Sequence, residues 1–145
     1  MTQIRQLLSQ KGNSVWKIDG SATVYEAAIE MNRHRCGALV VECDDQVVGI
    51  FTERDMLRRV VAECRKPEET RVDEVMTRDV VCCSPETTAE EARTAMRERR
   101  IRHLPVADDE ERLIGLISIG DLNAELHASQ QHTLFLLHQY IHGQV

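Results

Sequence analysis

Two short motifs in this sequence place a hydroxyl side chain three residues before an aspartate. Thr52 precedes Asp55 after one apolar run, and Ser118 precedes Asp121 after another. Each motif predicts the start of a helix, where free backbone N–H groups and the helix dipole favour negative charge. A carboxylate held there can accept two hydrogen bonds from a vicinal diol, such as the 2′ and 3′ hydroxyls of a ribose. The motifs therefore predict nucleoside-binding sites.

A second interpretation of the same spacing needs no ligand. Thr52 and Ser118 can act as helix N-caps, while the carboxylates of Asp55 and Asp121 return to the N-cap amides. This arrangement is a capping box, and it explains both residue types at both positions. The spacing alone is compatible with either interpretation, so both stay open.

Basic residues lie close to these motifs, although the chain has a formal net charge of −6. Arg54 and Arg58 accompany the first motif. A basic cluster stands directly before the apolar residues Leu104–Val106 and consists of Arg97, Arg99, Arg100, Arg102 and His103. Arginines in the last turn of a helix complement the helix dipole, which accounts for the first three of the cluster. Arg102 and His103 stand at the mouth of a buried strand, where binding of a phosphate is the favoured interpretation because a guanidinium matches phosphate geometry.

The two motifs belong to an internal repeat, which predicts a duplicated supersecondary unit. Residues 15–55 recur as residues 80–121, with an offset of 65 that becomes 66 after an extra residue in the turn at 108–112. Periodicity predicts strand, helix, strand, strand and helix in each copy. The predicted elements are 15–18, 23–33, 38–43, 46–52 and 53–63 in the first copy, and 80–83, 88–99, 103–107, 113–118 and 119–128 in the second. The fold class is α/β of the α+β type, with small sheets packed by helices.

The predicted organisation has five segments. An N-terminal helix (1–12, with its end at Gly12) precedes the first repeat (13–63). A charged linker (64–75) leads to the second repeat (76–128), and a helical extension (129–145) follows. In that extension an apolar stripe of Leu134, Leu137 and Ile141 has no partner inside the repeat. We expect this stripe to pack on the N-terminal helix or on another subunit.

Composition excludes several classes of protein. An acidic chain argues against nucleic-acid binding, and no apolar run reaches the ~20 residues of a membrane span. Five cysteines without C-x-x-C spacing predict reduced, buried thiols in a cytoplasmic protein. No nucleophile, base and orienting group share a motif, so no catalytic residues are predicted. We also predict no metal site: His138 and His142 lack completing ligands, and Asp108–Glu111 is interpreted as a solvated turn.

Several motifs in register, twice over, resemble a tandem pair of cystathionine-β-synthase (CBS) domains, a Bateman module of the stand-alone bacterial type. The resemblance covers about residues 13–128. It rests on Gly49–Asp55, Gly115–Asp121, the Met76-Thr77 opening, Ser84–Thr88 and Arg102–Val106. It implies two β-α-β-β-α repeats related by a pseudo-twofold axis, with two clefts that each draw residues from both repeats.

The resemblance also implies the residues of each cleft. In the first, Asp55 would bind the ribose, Thr52, Arg54, Arg102 and His103 would serve the phosphate, and the base would contact Ser84, Pro85, Thr87 and Ile101, with Ile50 nearby. The second cleft would use Lys17, Ile18, Ala22, Cys36, Gly37, Leu116, Ser118 and Asp121. Gly120 replaces the arginine of the first motif, and Gly37-Ala38 replaces Arg102-His103. The second cleft is therefore expected to lack local cations and to be empty, weaker or suited to a less charged adenosine compound.

The function implied by the resemblance is a non-catalytic regulatory module for energy sensing. AMP is the favoured ligand because the first cleft would offer cations to a phosphate, and ADP, ATP, NAD(H) and S-adenosylmethionine stay open. A homodimer and a regulated protein of unknown identity are the expected partners. Two alternatives remain: a structural or oligomerisation protein with closed clefts, and an enzyme that acts on adenosine compounds.

Overall fold

The computed structural model describes residues 1–12, 15–128 and 137. The predicted stripe in the C-terminal extension lies outside the described residues, except for Leu137, whose side chain is exposed. Within the described part of the chain, no helix is both long and apolar enough to cross a membrane. By its internal contacts the chain divides into two units: one spans Ser14–Val81, and the other combines Met1–Asn13 with Cys82–Val145.

The unit spanning Ser14–Val81 contains a three-stranded sheet. Its strands are β1 (Lys17–Asp19), β2 (Ala38–Cys43) and β3 (Gln46–Thr52), in the order β1-β2-β3. β1 is parallel to β2, which is antiparallel to β3. The first four residues of β2 are buried, as expected of an apolar strand covered on both faces. The first strand was predicted at 15–18, so β1 begins two residues later and ends one residue later than predicted.

Helix α2 (Val24–His34) follows the first strand and covers the sheet with its apolar side. Thr23 caps the helix by accepting a hydrogen bond from the Glu26 amide. The helix ends at Arg35, which adopts a left-handed conformation (φ 52°), while the Cys36 amide donates to the Met31 carbonyl. The helix predicted at 23–33 is confirmed to within one residue at each end, and these wrap-around hydrogen bonds close it after His34.

The second predicted helix of the first repeat differs in its hydrogen bonding. A single turn, α3 (Glu53–Asp55), continues directly as a π-helix (Met56–Val61) rather than as an α-helix to residue 63. A π-helix has wider i→i+5 hydrogen bonds and is a rare element that often occurs at functional sites. It places Val60 in the core and leaves Leu57 and Val61 exposed.

The predicted linker is a structural part of the first unit. It forms a 3-10 helix (Pro67–Glu69) and a short helix, α4 (Val72–Val75), whose Val72 and Val75 are buried in the same cluster as Phe51. The Val72 amide donates to the Ala22 carbonyl, which fixes α4 beside the start of α2. The abundance of charged residues in this segment obscured its two buried valines.

The other unit contains helix α1 (Ile4–Lys11), helix α5 (Ala89–Arg99), the antiparallel strands β4 (His103–Ala107) and β5 (Leu113–Ser118), and helix α6 (119–128). Thr88 caps α5, and Arg100 ends it with φ 55°, as Arg35 ends α2. Ile4, Leu7 and Leu8 of α1 are buried. The strand and helix order of the second repeat is thus confirmed from α5 onward.

The strand predicted at 80–83 is wrong. Only Cys83 forms a bridge, parallel to Val106: its amide donates to the Pro105 carbonyl, and its carbonyl accepts from Ala107. The next hydrogen bond of a parallel ladder would need an N–H on residue 105, and proline has none. The sheet therefore has two strands where the first repeat has three.

All five cysteines are free thiols, as predicted. Their burial is less than predicted, because Cys64 and Cys82 are exposed and the other three are only partly buried. Burial raises the pKa of the Cys83 thiol to about 11, with the Cys82 thiol beside it adding to the shift. Cys83 is therefore a poor nucleophile at neutral pH.

Candidate functional site

The first motif forms a complete capping box at the end of β3. The Thr52 amide donates to Oδ2 of Asp55 (3.1 Å), and the Asp55 amide donates to Oγ1 of Thr52 (3.2 Å). This pair of bonds fixes the carboxylate orientation at the helix start. Asp55 is 6% exposed, and it is the one buried charged residue among those that the structure describes.

A third partner of Asp55 is Thr77, at the start of the predicted second repeat. The Thr77 hydroxyl lies 3.0 Å from Oδ1 and 3.2 Å from Oδ2 of Asp55. Arg59 is further away, with its Nε 3.8 Å from Oδ1. A hydroxyl has one hydrogen to donate, so Thr77 satisfies one lone pair of a carboxylate that offers about four.

Backbone contacts hold Thr77 in this position. Ile50 and Thr77 exchange two backbone hydrogen bonds, of 2.9 and 2.8 Å. The Arg59 guanidinium donates to the Met76 carbonyl (2.8 Å) and, at 3.4 Å, to the Val75 carbonyl. Gly49 allows the close approach, because a Cβ there would lie 2.5 Å from the Thr77 carbonyl oxygen.

The second motif forms the same capping box with a different third partner. The Ser118 amide donates to Oδ2 of Asp121 (2.8 Å), and the Asp121 amide donates to Oγ of Ser118 (3.1 Å). The Lys11 ammonium, at the end of α1, lies 2.7 Å from the same Oδ2 and 2.7 Å from the Leu116 carbonyl oxygen. The predicted capping boxes are thus confirmed in both repeats.

The Lys11 ammonium changes the ionisation of Asp121. Partial burial raises the pKa of this carboxyl, but the hydrogen bond from Lys11 and the amide of Ser118 lower the pKa more, so it lies below the usual value. The carboxylate is therefore held ionised and paired. The expectation that the second motif has no local cation is incomplete, because it considered only residues inside the repeat.

The predicted base-contacting turn Ser84–Thr87 is bonded to the N-terminal helix. The amides of Ile4 and Arg5 donate to the carbonyls of Thr87 and Pro85, at 2.8 and 2.9 Å. Inside the turn, the Ser84 amide donates to the Thr87 hydroxyl (3.2 Å). A cavity of about 330 Å³ adjoins it, and Pro85 is the only predicted site residue in its lining of Arg5, Leu8, Ser9, Gly12, Pro85 and Ile114.

The predicted phosphate-binding pair lies beside the second motif within its own unit. His103 pairs with Ser118 across β4 and β5, and the Ile119 amide donates to the Arg102 carbonyl (2.8 Å). The first repeat has the same contact, from the Glu53 amide to the Gly37 carbonyl (3.0 Å). Arg102 is exposed and His103 is partly buried.

The other predicted site residues mainly form contacts within the fold of their own unit. Lys17 forms an exposed ion pair with Glu42 (2.8 Å), and the Ala22 carbonyl accepts from Val72. Ile18 and Cys36 pack against the core of their unit, and Arg54 and Ile101 are partly buried. The two predicted clefts each combine residues of both units and stay predictions.

Three side chains at the motifs were missed as site residues: Thr77, Lys11 and Arg59. The repeat offered a signal for the first two, since each stands shortly before the first strand position of a copy. Among the residues that the structure describes, no group of three or more His, Cys, Asp or Glu side chains could hold a metal ion.

The comparisons with known proteins agree with this architecture. The profile of the CBS domain matches residues 12–62 and 72–128. The mitochondrial CBS domain-containing protein CBSX3 of Arabidopsis thaliana is 36% identical, over 98% of this chain and 73% of that protein. A putative signal-transduction protein with CBS domains from Burkholderia ambifaria is 40% identical, with a TM-score of 0.84 over 89% of this chain and 96% of that one. A hexameric CBS-CP12 protein from bloom-forming cyanobacteria is 32% identical, with a TM-score of 0.73 over 83% of this chain and 65% of that one.

Proposed function

Because the chain belongs to the CBS domain family and contains the domain twice, we propose that it is a non-catalytic regulatory module that binds an adenine nucleotide. The observation that supports this most is the carboxylate of Asp55, which a capping box orients and a hydroxyl group already contacts. A ribose hydroxyl is the same kind of donor as the Thr77 hydroxyl. Replacing one by the other exchanges similar hydrogen bonds, so the cost of displacing Thr77 is small.

The charge near the motifs favours a phosphorylated ligand. Arg54 follows Thr52 by two residues, and Arg102 and His103 are the other predicted phosphate ligands. A guanidinium forms charge-assisted hydrogen bonds with phosphate. AMP is therefore the proposed ligand, ahead of ADP, ATP, NAD(H) and S-adenosylmethionine.

Binding can regulate another protein only if the ligand has different affinities for two conformations of the module. A ligand that binds only the native state stabilises it by about 2.7 kcal/mol at a hundredfold excess over Kd. A regulated protein can respond if AMP binds two conformations of the module with different affinities. The cytoplasm is the proposed location of this module.

The experiment is a thermal unfolding series with AMP, ATP, NADH and S-adenosylmethionine. Under this proposal AMP raises the Tm by several degrees, and Asp55→Ala abolishes the rise. Asp109→Ala is the matched control, since Asp109 is an exposed aspartate of the turn between β4 and β5. A Tm that no adenosine compound changes contradicts the proposal.

A second candidate function is a structural or oligomerisation module that binds no nucleotide. It is favoured by the internal partners of both carboxylates, Thr77 on Asp55 and Lys11 on Asp121. In that case the capping boxes would serve the fold alone. The same unfolding series separates the two candidates, because only the first predicts a ligand-dependent Tm.

We further propose a homodimer. The related CBS-CP12 protein is hexameric in its crystal structure, and helices of this chain expose apolar side chains at i, i+4 spacing. These are Tyr25 and Ile29 on α2, and Leu57 and Val61 on the π-helix. Light scattering should give the mass of a dimer, and Leu57→Glu should lower it to that of a monomer. A monomeric mass for the unmodified protein would contradict the proposal.

A further inference from the structure

We propose that Lys11, which lies before both repeats, is a specificity-determining residue that disfavours a neutral diol at Asp121. The inference rests on the proposed function, and it assigns the two repeats different affinities for the same nucleoside. It follows from a chemical difference between two carboxylates that share the same capping box, namely the third hydrogen-bond donor. Arg59 also lies near Asp55, but its Nε is 3.8 Å from Oδ1, beyond hydrogen-bonding distance. Asp55 receives a neutral hydroxyl from Thr77, whereas Asp121 receives an ammonium from Lys11.

The two carboxylates are matched in every other hydrogen bond of the motif. Each accepts from the amide of the residue three positions earlier, at 3.1 Å for Asp55 and 2.8 Å for Asp121. The backbone amide of each aspartate in turn donates to the hydroxyl of that residue, at 3.2 Å for Asp55 and 3.1 Å for Asp121. The identity of the third donor therefore decides how readily an incoming diol can replace it.

The exchange differs in charge at the two positions. At Asp55 a ribose hydroxyl replaces the Thr77 hydroxyl, so a neutral donor succeeds a neutral donor. At Asp121 the same hydroxyl must replace an ammonium, and a charge-assisted hydrogen bond is roughly twice as strong as a neutral one. Binding of a diol at Asp121 therefore costs the protein the electrostatic stabilisation of an ion pair, and binding at Asp55 has no such cost.

The position of Lys11 supports competition rather than chance proximity. Its ammonium has two acceptors at 2.7 Å, Oδ2 of Asp121 and the Leu116 carbonyl oxygen. Helix α1, which ends at Lys11, is anchored by buried Leu7 and Leu8 and by the backbone bond from Ile4 to Thr87. The Lys11 side chain is still 35% exposed, so it can withdraw into solvent when a ligand replaces it.

Isothermal titration with adenosine tests the inference, because adenosine has the diol but no phosphate. Lys11→Met and Lys11→Gln remove the charge and keep much of the side-chain length at an exposed helix end. We expect either variant to bind adenosine about tenfold more tightly at its weaker site, the ratio that separates charge-assisted from neutral hydrogen bonds. Adding Asp121→Ala should remove the gain, and 2′-deoxyadenosine, which lacks one diol hydroxyl, should show little of it.

Two lysine variants serve as controls. Lys11→Arg keeps the positive charge and should retain the low affinity of the unmodified protein. Lys66→Met removes an exposed lysine that pairs with Glu69 at 3.9 Å rather than with a motif carboxylate, and it should also leave adenosine binding unchanged. Thermal melts of all variants establish that each one is folded before titration.

The outcomes separate this inference from the proposed function. If Asp55→Ala abolishes AMP binding but Lys11→Met and Lys11→Gln bind adenosine as the unmodified protein does, the inference is overturned and the proposed function stands. If no variant binds any adenosine compound, the proposed function fails and the inference fails with it. A gain that persists in the Asp121→Ala background would place it at another site and would also overturn the inference.

Discussion

The Thr77 hydroxyl lies 3.0 Å from Oδ1 of Asp55, a residue 22 positions earlier in the chain. Its counterpart in the other unit is the contact of Lys11 with Asp121, which spans 110 positions. In each unit, a residue distant in sequence from the motif supplies the third donor to its carboxylate. The two donors differ in charge, and this difference leads to separate predictions for stability and for ligand binding.

Replacing Thr77 by valine should destabilise the protein by about 1–3 kcal/mol, because the nearly isosteric change leaves a buried carboxylate with one donor fewer. The measurement is urea unfolding at pH 7, and Thr77→Ser is the control because it keeps the hydroxyl. Equal stability of the valine and unmodified proteins would show that the Asp55 contact contributes nothing.

The repeat-related glycines Gly49 and Gly115 should respond unequally to alanine. A Cβ at Gly49 would lie 2.5 Å from the Thr77 carbonyl oxygen, and relieving this clash would require the backbone to shift. A Cβ at Gly115 would meet the Cδ2 atom of Leu8 at 2.6 Å, the end of a side chain that can change rotamer where backbone cannot. Gly49→Ala should cost about 1–3 kcal/mol of unfolding free energy, and Gly115→Ala less. The reverse order in chemical denaturation would contradict this packing.

The ion pair of Lys11 with Asp121 should make stability depend on pH. The folded protein lowers the pKa of Asp121 below its usual 3.8. The resulting stabilisation is complete above that usual value and is lost as the pH falls through the lower pKa of the folded state. Lys11→Met should therefore be less stable than the unmodified protein at pH 7, by up to about 1 kcal/mol, and the difference should shrink on acidification. Urea midpoints between pH 7 and pH 3 measure it, and a difference that grows in acid would refute the assignment.

The cysteines should differ in reactivity. The raised pKa of Cys83, about 11, leaves little thiolate at pH 8, while Cys64 is exposed. Iodoacetamide should modify Cys64 quickly and Cys83 only after unfolding in guanidinium, as peptide mass mapping would show. Rapid modification of Cys83 in the native protein would argue against its burial.

The repeat made most of the fold predictable. Strands β2 and β3, and likewise β4 and β5, have the predicted bounds, because apolar runs separated by a polar turn admit few alternatives. The failures have local causes. Pro105 stops a ladder that depends on a partner strand 22 residues away. Val72 and Val75 lie in a segment whose charge suggested a linker.

The candidate site was predictable only in part. Spacing sufficed for the capping boxes of Thr52 with Asp55 and of Ser118 with Asp121, since both partners lie within one helical turn. Lys11 and Thr77 reach the carboxylates through tertiary packing, which no local pattern encodes. The second motif therefore received no cation in the prediction, although the protein supplies one from the helix before the repeats.

If Asp55 is part of an adenine-nucleotide site, titration calorimetry with AMP should distinguish the unmodified protein from Asp55→Asn. Asparagine keeps the shape of the side chain while removing its charge, so a folded variant isolates the carboxylate. We expect saturable AMP binding to the unmodified protein and to Asp109→Ala, and its loss in Asp55→Asn. AMP binding of equal affinity in all three proteins, or in none of them, would contradict it.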